Sequence, residues 1–193
     1  MLDSITAGEL VSYTFMDSTT SLRIQAGAGD DSVIIDGIDD HLSGKIVVSG
    51  GAGTDAVVGP PVDATWNITG QDAGDVSGVS FVSVENLIGS ADNEDTFFVG
   101  ATGSLSGVMD GGDGGFDSLV LTGGTFDSVT YTAFDGHSGT IDRDGDVLNY
   151  AGLEPITDLL VVADRVININ DLDFTGPPVP APDNLSDRAT LTD

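Results

Sequence analysis

The chain of 193 residues contains no cysteine, which excludes a disulfide scaffold, a thiolate metal site and a cysteine nucleophile. Basic residues are nearly as scarce. Five Lys/Arg face 32 Asp/Glu, for a formal charge of −27, and Lys45 is the single lysine. Nucleic-acid binding depends on Lys and Arg neutralising phosphates, so nucleic acid and anionic membrane surfaces are excluded as partners. Long hydrophobic runs are also missing. The stretch Leu159 to Ala163 is far too short to span a bilayer, so no membrane insertion is expected. The first twenty residues carry Asp3 and Glu9 with no basic cluster and no apolar run, and no N-terminal signal peptide is evident.

What is present is a β-forming composition. Hydrophobic types occupy 39% of positions, and Leu, Ile, Val and Phe stand above the roughly 20% below which high charge predicts disorder. Glycine is abundant, at 27 residues. Polar helix formers are rare, whereas Val, Ile, Thr and Asp recur. Ser21 to Val33 (SLRIQAGAGDDSV) and Lys45 to Val57 (KIVVSGGAGTDAV) share one plan at a 24-residue offset, with Gly27 over Gly51, Gly29 over Gly53 and Asp31 over Asp55. Val84 to Val99 and Leu105 to Leu121 repeat it, with Asp95 and Asp117 in corresponding places. Short apolar runs bounded by Gly, Asp and Asn at such spacing predict an all-β fold, a parallel β-helix or β-roll solenoid, with a β-sandwich as the alternative. Asp144-Gly145 between alternating runs predicts a β-hairpin near 138–150. TGPPVPAP, from Thr175 to Pro182, lacks amide donors at its prolines and reads as a stiff linker. The expected organisation is a β-solenoid repeat domain over 1–174, then a Pro-rich linker and polar tail over 175–193.

Gly50-Gly51-Ala52-Gly53-Thr54-Asp55-Ala56-Val57 spells GGxGxDx followed by an aliphatic residue, the pattern of a calcium-binding nonapeptide repeat. Ala26 to Val33 departs from it only by Ala for the first Gly, and Gly111 to Asp117 has one extra residue before its aspartate. These turns resemble those of the RTX (haemolysin-type) calcium-binding family. The resemblance implies a parallel β-roll exported by bacteria, with Ca2+ held between turns of neighbouring coils. Carried over, Gly27, Gly29, Gly51 and Gly53 would offer carbonyls, and Asp31 and Asp55 carboxylates. Asp30, Asp95, Asp113 and Asp117 complete the candidate metal ligands. Residues from Trp66 to Thr157 are also similar to modules repeated in long bacterial surface and adhesin-like proteins. Independently of family, stacked Asp31 and Asp55 would stand about 4.7–4.9 Å apart. Like charges at that distance repel, and a bridging cation reverses the sign.

Other motifs carry less. Asp142-Arg143-Asp144-Gly145-Asp146 resembles a calcium loop superficially, but its glycine comes early and no glutamate sits at the twelfth position, so a hairpin is expected. His41 and His137 have no spacing that pairs them with a second ligand. Trp66, Phe81, Phe97, Phe98 and Phe116 read as core or stacking residues rather than a sugar platform. Asn67-Ile68-Thr69 and Asn184-Leu185-Ser186 match the glycosylation triplet. Nucleophile elbows, phosphate loops and zinc motifs are absent, and no enzyme is expected. The resulting expectation is an extracellular or cell-surface bacterial structural repeat module stabilised by calcium, whose partners are calcium ions and neighbouring modules or copies of itself. The alternatives are a self-assembling fibre subunit and a carbohydrate- or cell-binding adhesin module.

Overall fold

A computed structural model of the protein describes residues 20–38 and 42–169. Apolar residues alternating with small or polar ones place one face of each run inward. The first strand, β1 (Leu22–Ala28), pairs in parallel with β3 (Ile46–Ala52), with Leu22 opposite Ile46 and Gly27 opposite Gly51. Beyond the turn, β2 (Ser32–Ile34) pairs in parallel with β4 (Ala56–Val58), placing Val33 against Val57. The next three strands, β5 (Thr65–Gly70), β6 (Ala73–Val76) and β7 (Val79–Val82), form an antiparallel meander. Then follow β8 (Asn86–Ile88), β9 (Thr96–Val99), β10 (Val108–Asp110) and the long β11 (Ser118–Ala133). A second antiparallel meander joins β11 to β12 (Gly139–Arg143) and β13 (Asp146–Ala151). Finally, β14 (Ile156–Ile169) lies parallel to β11.

All of these strands belong to one mixed sheet, in the order β1-β3-β7-β6-β5-β9-β11-β12-β13-β10-β8-β4-β2, with β14 attached to β11 off that path. The two ends of the path, β1 and β2, are consecutive in the chain and separated only by the turn at 29–31. The sheet therefore curls back on itself as a near-closed barrel. The all-β character agrees with the sequence. The expected parallel β-helix or β-roll solenoid does not, nor does the β-sandwich.

Two physical features overturn those expectations. The meanders at β6 and β12 splice the parallel stacks into one continuous sheet, whereas a solenoid keeps its sheets separate and repeats a single coil. The spacing between stacked turns is also irregular, 24 residues from Asp31 to Asp55, 31 from Ala64 to Asp95 and 22 from Asp95 to Asp117. With the repeat goes the RTX-type assignment, together with the reading as a repeat module that partners neighbouring modules or copies of itself. The linker and tail expected over 175–193 lie outside the described residues, as does His41. No helix among the described residues is long and apolar enough to cross a membrane.

Inward side chains stack in register across the strands. Trp66 lies opposite Phe97, and Phe97 opposite Leu119. The Trp66 and Phe97 rings stack nearly parallel with centroids 5.2 Å apart, and the Phe81 ring centre lies 6.4 Å from that of Trp66. On the other side Val57, Leu87, Met109 and Tyr150 form one row. Arg143 is also buried. Its guanidinium pairs with Asp146, donates to the Gly100 and Gly103 carbonyls, and lies 5.5 Å from the Phe126 ring centre. A buried charge without such partners would be strongly destabilising. Asp144 and Gly145 have φ of 52° and 94°, the left-handed pair that a two-residue hairpin turn requires. Because Phe97 is fully buried, Phe97→Ala is expected to lower the free energy of unfolding by about 3–5 kcal/mol, read from urea denaturation followed by far-UV circular dichroism.

Candidate functional site

The sequence-selected residues fall at two different corners of the barrel. Gly27, Gly29, Asp30 and Asp31 lie where β1 turns into β2, and Gly51, Gly53 and Asp55 where β3 turns into β4. Asp95 lies between β8 and β9, and Asp113 and Asp117 lie between β10 and β11. The structure thus brings the first seven together and places the last three elsewhere.

At neither corner do the carboxylates converge on a common point. The backbone N–H of Asp31 donates to Asp55 Oδ1 at 2.9 Å, and that of Thr54 donates to Asp30 Oδ1 at 2.8 Å. The N–H of Asp55 donates in turn to Glu85 Oε2 at 2.7 Å. At the second corner, Asp95 accepts from the N–H groups of Ala64 at 3.0 Å and Ser90 at 3.2 Å, while Asp117 Oδ1 accepts from the Asp95 N–H at 2.7 Å. Each turn carries an acid that caps an amide of the turn beside it.

The glycines at the first corner serve the stacking of turns. Gly51 and Gly53 have φ of 118° and 136°, and a Cβ at either would collide with the carbonyl of Gly27 or Gly29 on the neighbouring strand. Glycine is needed there for close stacking of turns. Among the described residues no group of three or more His, Asp or Glu side chains is placed to hold a metal ion. The expectation of a module stabilised by calcium at Gly/Asp-rich turns is therefore corrected: Asp55, Asp95 and Asp117 each use an oxygen to accept a backbone N–H of a neighbouring turn. The Asp142 to Asp146 segment behaves similarly. Asp142 accepts from the Gly145 N–H at 2.7 Å, and Asp144 from those of Asp127 and Ser128 at 2.9 and 2.7 Å.

Asp55, Asp95 and Asp117 are all buried. Burial pushes the Asp95 carboxyl above the usual range and the nearby Asp117 charge adds to it, against hydrogen bonds from Asn93, Ala64 and Ser90. Asp117 is also raised, first by burial and then by the charges of Asp110 and Glu94, against the Asp95 amide. Sequence reasoning missed Glu85, and also Asp63, which accepts from the Glu94 N–H at 2.9 Å. The available signal was an acid one or two residues before a short strand, without any glycine motif.

The second corner also forms a concave surface. The loop Gly111-Gly112-Asp113-Gly114-Gly115 lies flat on the turn at 89–95. Gly115 has φ of 84°, and a Cβ there would run into the Asn93 carbonyl. Flattening the loop pushes the next side chain outward, and Phe116 is 61% exposed. Its ring was expected to be a core or stacking residue and instead lines two clefts. One, of about 350 Å³, is lined by Gly112, Phe116, Asp117, His137 and Glu154, among others. The other, of about 320 Å³, is lined by Asp63, Thr65, Glu94, Thr96, Phe116 and Ser118, with Ala64. Neither lining contains a lysine or arginine. His137 Nδ1 lies 2.8 Å from Glu154 Oε2 at the rim of the first cleft.

The capping role has a testable signature. Asp117→Ala strands the buried Asp95 amide and is expected to cost about 1–3 kcal/mol. Asp117→Asn keeps an acceptor and removes the charge. The raised folded-state value means that the wild-type carboxyl contributes in full below the ordinary 3.8 and loses that contribution as pH rises through the folded value. Melting temperatures between pH 3 and 7 should therefore shift in favour of the Asn variant as pH rises. A constant difference would show that the Asp117 carboxyl titrates alike in both states.

Comparisons with protein-family models, with curated proteins and with solved structures gave no match to this chain.

Proposed function

We propose that this domain is a non-catalytic recognition domain that binds a cationic partner at the double cleft around Phe116. The observation that carries the reading is an aromatic ring, 61% exposed, standing between clefts that contain carboxylates and no lysine or arginine. An exposed ring loses the hydrophobic gain of burial, and its π face attracts ammonium and guanidinium groups. Glu154 on one side and Asp63 and Glu94 on the other supply the opposing charge. A net charge of −27 raises the local concentration of cations and speeds their encounter.

The buried acids favour recognition over catalysis. Asp55, Asp95 and Asp117 each accept a backbone N–H, an arrangement that positions turns.

Titration of a fluorescein-labelled lysine-rich decapeptide into the protein, followed by anisotropy, tests the proposal. Phe116→Ala leaves the core untouched and is expected to weaken binding by about 1–2 kcal/mol, roughly 5- to 30-fold. Binding should also weaken as salt rises from 20 to 300 mM. Equal affinity for wild type and Phe116→Ala at every salt concentration would reduce the interaction to diffuse charge attraction and overturn the site.

A further inference from the structure

The dipeptide Asp-Gly occurs five times, at Asp36-Gly37, Asp110-Gly111, Asp113-Gly114, Asp135-Gly136 and Asp144-Gly145. Its aspartate is open to attack by the next amide nitrogen, because glycine has no Cβ to shield that nitrogen from the carboxyl carbon. The two atoms must meet, so hydrogen bonds that hold either one suppress the reaction.

The fold holds three of the five copies. Asp144 accepts from the Ser128 and Asp127 N–H groups through Oδ1 and Oδ2, and the Gly145 N–H donates to Asp142 Oδ1 at 2.7 Å. Asp110 lies in β10, where its Oδ1 accepts from the Gly112 N–H at 3.0 Å and the Gly111 N–H donates to the Ala151 carbonyl at 2.9 Å. Asp135 Oδ1 accepts from the His137 N–H at 2.8 Å. Hydrogen bonds from Ser138 and that amide hold the Asp135 carboxyl below its ordinary value, and an ionised carboxylate is a poor electrophile. The remaining two copies are different. Asp36 and Asp113 are exposed, and among the described residues neither carboxylate accepts a hydrogen bond and neither the Gly37 nor the Gly114 amide donates one.

We propose that Asp36 and Asp113 are sites of spontaneous modification to isoaspartate, and that the fold protects Asp110, Asp135 and Asp144. At Asp113 the Gly114 amide nitrogen loses its proton and attacks Cγ of the protonated carboxyl. A C–N bond forms, the Cγ–OH bond breaks and water leaves, closing a five-membered succinimide. Water then adds to the ring. Opening at Cγ restores aspartate, whereas opening at the main-chain carbonyl leaves Gly114 attached through Cγ, with the backbone running through Cβ and one carbon longer. No oxidant or cofactor takes part. The added carbon falls in the loop that lies on the turn at 89–95. There the Asp92 N–H donates to the Asp113 carbonyl at 2.9 Å and the Phe116 N–H to the Asn93 carbonyl at 3.3 Å. Modification shifts the first acceptor and lengthens the segment between the two contacts, so it alters how Phe116 is held.

The experiment incubates the full chain at 37 °C and pH 6, digests timed samples with chymotrypsin, and locates isoaspartate by electron-transfer dissociation, whose fragments distinguish it from aspartate. Isoaspartate is expected to form at Asp36 and Asp113 about tenfold or more faster than at Asp110, Asp135 and Asp144, where hydrogen bonds must open first. A parallel incubation in 6 M guanidinium chloride removes the fold, and the five rates should then converge. Equal rates at all five positions of the folded chain overturn the proposal, as does the absence of product at Asp36 and Asp113. The same spread of rates with and without denaturant would assign the selectivity to neighbouring residues and overturn protection by the fold.

Discussion

Hydrogen bonds from backbone amides to carboxylates of the neighbouring turn are the interaction on which this structure depends. Where a strand ends at a tight corner, its amides leave the sheet ladder, and a buried amide without a partner is costly. Here the partners are aspartates and glutamates. Asp31 donates to Asp55, Asp55 to Glu85, and Asp95 to Asp117. Bonds to ionised acceptors are shorter and stronger than those between neutral groups, which suits a corner where several chain segments stack. Part of the large negative charge thus acts as structural material.

The rest of the architecture follows from how those corners are connected. Parallel stacks alone would leave separate sheets, but the meanders β5-β6-β7 and β11-β12-β13 carry hydrogen bonding from one stack to the next. Curvature then closes an interior of Trp66, Phe97, Leu87 and Met109, with the buried Arg143 holding the loop carbonyls of Gly100 and Gly103. The corner between β10 and β11 is the point at which this scaffold presents something outward. Its glycines press the loop against the preceding turn and leave Phe116 standing between acidic clefts.

Much of the local structure was legible. Alternating Val, Ile and Thr marked strands, Asp144-Gly145 marked a two-residue turn, and the shared Gly-Ala-Gly-x-Asp plan gave the register that pairs Gly27 with Gly51 and Val33 with Val57. The site was less so. A glycine-aspartate turn that caps amides and one that binds an ion are spelled alike, because both need left-handed backbone and an acid. They differ only in whether the acid's oxygens meet N–H groups of the next turn. Phe116 precedes its turn aspartate, in the place of exposed Glu94, whereas Phe97 follows its aspartate by two residues and lies opposite buried Leu119. Offset from the aspartate, rather than aromatic character, separates the outward ring from the buried one.

By itself, the sequence determined the β character, the positions of the turns and the pairing register of the first strands. These depend on side-chain periodicity and backbone preference, both of which are local. Tertiary structure alone decided that the stacks merge into one near-closed mixed sheet, that the corner acids meet amides, and that acidic clefts flank Phe116. Each of those outcomes depends on which distant segment lies alongside a given turn, and hydrogen-bond partners across 22 to 31 residues are chosen by the packing of the whole sheet.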